Sequence, residues 1–304
     1  MLKEIERKLY LSSVYESNRK KDFMIKLFVC DMDGTLLYNE SDIHSRDISL
    51  ENYEAVLKLH NSGVRFMMAS GRDHFYRLIL EKEFGFQIDA IGMNGCNVVI
   101  DNEVLCDHGL THQDTIDVLE TLKDAPVDVN FLGINSNGDH VFQYVDREPY
   151  QKFYELHKQG VFKHMSDLPL SEWIKDESKA PFNKLVGLVK SVKDRDILLN
   201  FFEKDYGDRL DVIYSGLENV ELMPKGISKG NALLELMELK GYRPTEVATI
   251  GDSMNDISML QVTPYSFAMS HSDNIIKQSS HYIVKSVAEA IEMVLKINEE
   301  HNGL

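Results

Sequence analysis

The sequence predicts an α/β fold in which a Rossmann-like parallel sheet core carries an inserted α+β domain. Three observations predict it. Apolar runs at residues 25–30, 64–69 and 246–250 read as buried parallel strands. Helical segments alternate with the strands, which implies right-handed crossovers. The alternation then breaks over residues 101–218, where strand pairs with covering helices read as a separate lobe.

Residues 1–23 are rich in charge, with Leu2, Ile5 and Leu9 at helical spacing. They read as an N-terminal extension, a short amphipathic helix without a functional role. The core is assigned to residues 24–100 and 219–304. After the strand at 25–30, a helix at 49–62 closes at Gly63. The strand at 64–69 leads into a helix at 75–84, and a third strand follows at 89–93. Inside the lobe, a helix at 111–123 precedes strands at 127–134 and 140–145. Asn137-Gly138 between them is a strong hairpin signal. A helix at 149–159, a loop region, a strand at 184–189, a helix at 194–204 and a strand at 210–215 complete the lobe. Ser228 caps a helix at 229–240 that Gly241 ends. Strands ending at Ile250 and spanning 265–269 and 282–284 follow, and a helix at 287–297 closes the pattern.

The chain of 304 residues is 43% hydrophobic and 27% charged, the balance of a globular protein. Its net charge of -16 disfavours nucleic acid or an anionic membrane as partner. An anionic substrate would then need a bound cation and a locally basic pocket. Cys30, Cys96 and Cys106 follow no metal-ligand spacing, and their odd number fits reduced thiols in the cytoplasm. No apolar run has the length of a membrane span, and charges from Lys3 onward leave no signal core.

The chemistry gathers where strands end. Asp31-Met32-Asp33-Gly34-Thr35 follows the first strand, Ser70-Gly71-Arg72 the second, and Gly251-Asp252-Ser253-Met254-Asn255-Asp256 a later one. Pro224-Lys225-Gly226-Ile227-Ser228-Lys229-Gly230 opens a helix. A parallel sheet collects such ends in one crevice. Two carboxylates at i and i+2 need a cation or a shared proton. The collection comprises an aspartate nucleophile, a hydroxyl donor, a lysine and further carboxylates for a metal.

The constellation resembles the haloacid dehalogenase superfamily of phosphohydrolases, and most closely its Cof-type branch, whose cap is inserted between the second and third motifs. All four motifs stand in order, and Met93-Asn94-Gly95-Cys96 resembles the branch's Thr-Asn-Gly-Ala segment. The resemblance starts at Met24 and leaves residues 1–23 outside. It implies that Asp31 attacks phosphorus and that Asp33 serves as general acid and base. It implies a magnesium ion held by Asp31, the Asp33 backbone carbonyl and Asp252, with Asn255 and Asp256 orienting these ligands from behind and direct binding also open to Asp256. Lys225 and Lys229 compete for the cationic role on sequence alone, and the motif selects Lys229. Ser70 offers a hydroxyl and an amide to a phosphoryl oxygen. Thr35 orders the first loop, and with Gly71 it completes the set expected around the substrate. Arg72 has substrate contact or a core salt link open to it, and Asn94 substrate contact or a turn. Ser270-His271 and His281 depart from the branch's pattern and read as peripheral.

The implied function is a cytoplasmic, magnesium-dependent phosphatase, monomeric or homodimeric, acting on small phosphorylated metabolites through an aspartyl-phosphate. Sugar phosphates and phosphorylated cofactor precursors are the implied substrates. The rivals are a sugar phosphomutase and a non-catalytic phosphometabolite sensor. The sensor predicts erosion of the nucleophile or acid, and Asp31, Asp33, Ser70, Lys229 and Asp252 are all present.

Overall fold

The computed structural model describes residues 24–38, 47–146, 150–158, 163–214 and 217–302. The expected N-terminal helix in 1–23 lies outside these residues, as do the outermost positions expected for the helix at 149–159 and the strand at 210–215. The chain runs β1 (Leu27–Asp31), α1 (Leu50–Asn61), β2 (Arg65–Ala69), α2 (Tyr76–Phe84), β3 (Asp89–Gly92), β4 (Asn97–Ile100) and β5 (Glu103–Asp107). Next come α3 (His112–Thr121), β6 (Asn130–Ile134), β7 (Asp139–Phe142), α4 (Tyr150–Lys158), β8 (His164–Met165), α5 (Leu170–Trp173) and β9 (Lys184–Leu188). Then α6 (Val192–Tyr206), β10 (Leu210–Ile213), β11 (Asn219–Pro224), α7 (Lys229–Lys240) and β12 (Val247–Gly251) follow. The chain closes with α8 (Ile257–Leu260), β13 (Tyr265–Met269), α9 (Asn274–Gln278), β14 (Tyr282–Val284) and α10 (Val287–Asn302).

Two compact units divide the chain: Met1–Phe66 with Met237–Leu304, and Met67–Leu236. In the first, β14, β13, β12 and β1 lie side by side and pair in parallel. The whole of β1 is buried, as a strand covered on both faces must be. Ser49 caps α1 by accepting from the Asn52 amide, and Gly63 follows at a φ of +86°. The buried Asn52 joins α1 to its neighbours, donating to the Leu36 carbonyl (3.4 Å) and accepting from the Ala288 amide (3.0 Å). Asn298 of α10 closes a reciprocal pair with the backbone of Ile25 at 2.7 and 2.9 Å.

The second unit holds β3, β4 and β5 beside the last residues of β2, and a six-stranded sheet of order β10-β11-β9-β6-β7-β8. The pairing of β2 with β3 is parallel, whereas β3–β4 and β4–β5 are antiparallel. The β4–β5 hairpin was not foreseen, although Asp101-Asn102 carries a recognisable signal. Both residues have positive φ (53° and 65°), as a two-residue hairpin turn requires. The antiparallel sheet extends to Pro224, beyond the lobe limit of 218 read from the sequence, because β11 pairs with both β9 and β10. One face of that sheet packs Phe131, Leu185 and Leu222 against Phe202 and Leu198 of α6 and Val118 of α3. Its other face carries Leu132, Val186 and Met223, clustered with Met93 and Cys96.

Candidate active site

In the first unit, β1 delivers Asp31 to its C-terminal end, 4% exposed, and the following turn folds tightly. The Leu37 amide donates to the Met32 carbonyl at 2.9 Å. Gly34 sits at a φ of +85°, and a Cβ there would lie 2.5 Å from Asp252 Oδ2. Both the backbone and the approaching carboxylate therefore require glycine. Thr35 is fully buried and donates its hydroxyl to Asp252 Oδ1 at 2.7 Å. That proton is directed to a carboxylate within the unit. Asp33 is exposed.

β12 delivers Asp252 on the neighbouring strand. Asp256 is fully buried, and its Oδ2 accepts from the Asp252 and Ser253 amides, each at 3.0 Å, and from the Ser253 hydroxyl at 3.1 Å. The Ser253 hydroxyl also donates to Asn255 Oδ1 at 2.6 Å. Asp31, Asp252 and Asp256 each bring a carboxylate oxygen into a group whose members all lie within 4.8 Å of one another. Burial, then the charge of Asp256, push the Asp252 carboxyl above its ordinary range, against hydrogen bonds from Thr35 and Asp31 and the nearby His271. An all-oxygen set of crowded carboxylates, two of them buried, fits a hard divalent cation such as magnesium. Asp256, for which the sequence left open both orienting the ligands from behind and direct binding, lies within this carboxylate group.

His271 was read as peripheral, and the structure corrects this. Its ring stacks on Tyr38 with centroids 3.9 Å apart, and its Nε2 lies 4.0 Å from Asp252 Oδ2. The turn after β13 brings it there, which motif spacing does not encode.

In the second unit, Ser70 is buried. Its amide donates to the Ile91 carbonyl at 2.9 Å, and its hydroxyl accepts from the Arg72 amide at 3.1 Å. The Arg72 guanidinium lies 4.3 Å from the centroid of the Tyr76 ring. Asn94 is buried with a φ of +57°, and its amide group lies against Gly71. Lys229 is fully buried at the start of α7, whose Ser228 accepts from the Asn231 amide at 3.1 Å. Lys225, its competitor on sequence, faces Asp211 at 3.2 Å with a half-exposed side chain. Two residues escaped sequence reading. Lys184 and Glu221 form a buried ion pair at 3.2 Å beside Gly71 and Asn94. The signal available was a charge set inside each of two apolar strands.

Among the described residues, no helix is long and apolar enough to cross a membrane. A family model for haloacid dehalogenase-like hydrolases matches residues 28–295. The chain is 25% identical over 283 residues to the 5-amino-6-(5-phospho-D-ribitylamino)uracil phosphatase YbjI of Escherichia coli, covering 90% of this chain and 97% of that protein. It is 27% identical over 274 residues to the 5-amino-6-(5-phospho-D-ribitylamino)uracil phosphatase YcsE of Bacillus subtilis, covering 90% of this chain and 95% of that protein. A crystal structure of a haloacid dehalogenase-like hydrolase from Bacteroides thetaiotaomicron superposes with a TM-score of 0.74 at 24% identity, covering 88% of this chain and 99% of the other. With a family match over most of its length and the motif carboxylates of β1 and β12 gathered at one edge, the chain belongs to the haloacid dehalogenase-like hydrolases.

Proposed function

We propose that this protein is a magnesium-dependent phosphatase of small phosphorylated metabolites that works through an aspartyl-phosphate on Asp31. The observation that carries the reading is the convergence of the Asp31, Asp252 and Asp256 carboxylates within 4.8 Å. Asp31, Asp252 and the Asp33 carbonyl would hold the cation, with Asp256 beside them. Once bound, the cation neutralises charge on the phosphoryl oxygens. Asp31 attacks phosphorus, and the ester P–O bond breaks. Asp33, protonated, gives its proton to the leaving alkoxide. Water then attacks the acyl phosphate, Asp33 recovers a proton from it, and the bond to Asp31 breaks to release inorganic phosphate. Ser70 and Lys229 neutralise and orient the phosphoryl group. Side chains of the α+β segment at 101–218 select among esters.

The activity for which these relatives are named supports a phosphorylated cofactor precursor as substrate, and 5-amino-6-(5-phospho-D-ribitylamino)uracil is the first compound to try. The test is phosphate release across that compound, sugar phosphates and p-nitrophenyl phosphate, with and without magnesium. Magnesium-dependent turnover of at least one ester supports the reading. Binding without turnover would return the protein to the sensor class, and a bisphosphorylated sugar intermediate would make it a mutase.

A further inference from the structure

The second unit buries a charged pair that the proposed reaction does not use. Lys184 on β9 is 4% exposed and Glu221 on β11 is 2% exposed. Replacing such a buried pair by apolar residues is often neutral or stabilising. What the pair holds therefore matters more than its contribution to stability. Lys184 Nζ donates to the Gly71 carbonyl at 2.9 Å, and Glu221 Oε2 accepts from Asn94 Nδ2 at 3.2 Å. Met93 and Asn94 both adopt left-handed backbone, at φ values of 49° and 57°, which non-glycine residues keep only where their surroundings enforce it. Their amides donate to the Arg72 carbonyl at 2.7 Å and the Ser70 carbonyl at 2.9 Å. Gly95 continues the turn, and a Cβ there would collide with the Ser228 carbonyl, one residue before Lys229. The same turn therefore touches the Ser70 loop and the first turn of α7.

We propose that Lys184 and Glu221 are positioning residues. Through one ion pair, two strands of the antiparallel sheet clamp the Gly71 carbonyl and the Asn94 amide. The Gly71–Arg72 peptide, next to Ser70, and the start of α7 are thereby held in one orientation. The proposal rests on the phosphatase reading, in which Ser70 and Lys229 meet the phosphoryl group. It extends that reading to residues that never touch substrate.

The test separates the clamp from simple stability. Lys184→Met and Glu221→Leu are made singly and together in the full chain. Each single variant leaves one buried charge without its counterpart and lowers Tm. The double variant removes both charges and brings Tm back near wild type. Its kcat for p-nitrophenyl phosphate stays ~10–100-fold down, as a small misplacement of catalytic groups produces, with KM little changed. Amide exchange in peptides covering residues 67–97 speeds up in the double variant, while the rest of the molecule keeps its protection. A double variant with wild-type Tm and wild-type kcat, or with unchanged exchange in that stretch, overturns the clamp. If wild type hydrolyses no ester but exchange in the double variant still rises there, the phosphatase reading fails and the clamp stands.

Discussion

At the residue scale, the acidic group gathers like charge that a bound cation or a shared proton relieves. Asp252 is held above its ordinary range by burial and by Asp256, while Thr35 and Gly34 fix where its two oxygens lie. Asp31 meets this group from the neighbouring strand, and in the proposed reaction its charge would serve attack and cation binding together. Asp31→Asn is expected to lower kcat by at least ~10³-fold with the fold intact, checked by steady-state kinetics beside a circular dichroism melt. Asp33 lies exposed at the turn, where its side chain can be changed without opening the core. Asp33→Asn is expected to lower turnover of alkyl phosphates by ~10²–10⁴-fold. The loss on an aryl phosphate should be clearly smaller, because a phenolate leaves without a proton. Equal losses on both ester types would remove Asp33 from proton transfer.

At the element scale, the alignment of β1 with β12 depends on Glu246. The Lys26 amide donates to its carbonyl at 2.7 Å, Lys26 Nζ lies 2.6 Å from its carboxylate, and Arg243 adds a side-chain contact at 3.0 Å and a backbone amide at 2.8 Å. Burial would raise this carboxyl, but the Arg243 and Lys26 contacts outweigh it and bring it from its ordinary 4.5 down to about 2. A depressed folded pKa gives stability that is fully present above the unfolded value and is lost as pH falls toward the folded one. Glu246→Gln should therefore destabilise the protein by up to about 3 kcal/mol at pH 7. The difference from wild type should shrink between pH 4.5 and about 2, followed by denaturant melts at several pH values. A penalty that stays constant across that window would place the effect in packing instead of charge. The short elements were the least legible in the sequence. β8 has two residues and α5 four, too few for any periodicity to register. β11 went unread because its run of Val220, Glu221, Leu222 and Met223 carries a charge whose partner lies on β9.

At the scale of the whole molecule, a cation that binds the native state and not the unfolded chain stabilises by mass action. Magnesium at 100 times its dissociation constant should add about 2.7 kcal/mol and raise Tm accordingly. A chelator should reverse the gain and abolish turnover, and both should return when magnesium is restored. Asp252→Asn should lose the magnesium-dependent shift in Tm, because a neutral amide replaces one of the clustered carboxylates. If its Tm still rose with magnesium as in wild type, the cation would sit elsewhere.

The sequence by itself determined the parallel strands, the helix cap at Ser228, and the carboxylates at the ends of β1 and β12. Each of these is written within a few neighbouring residues: an apolar run, a hydroxyl before a helix, an aspartate beside a glycine. The family resemblance followed from the order of such local signals. Only the tertiary structure decided which side chains meet across long separations. Lys184 reaches Gly71 over 113 positions and Glu221 reaches Asn94 over 127. His271 arrives at Asp252 through the turn after β13. Periodicity reports which face a residue buries and never which distant group it meets there. A buried charge is legible in a sequence as an exception, and its meaning comes from the partner that the fold supplies.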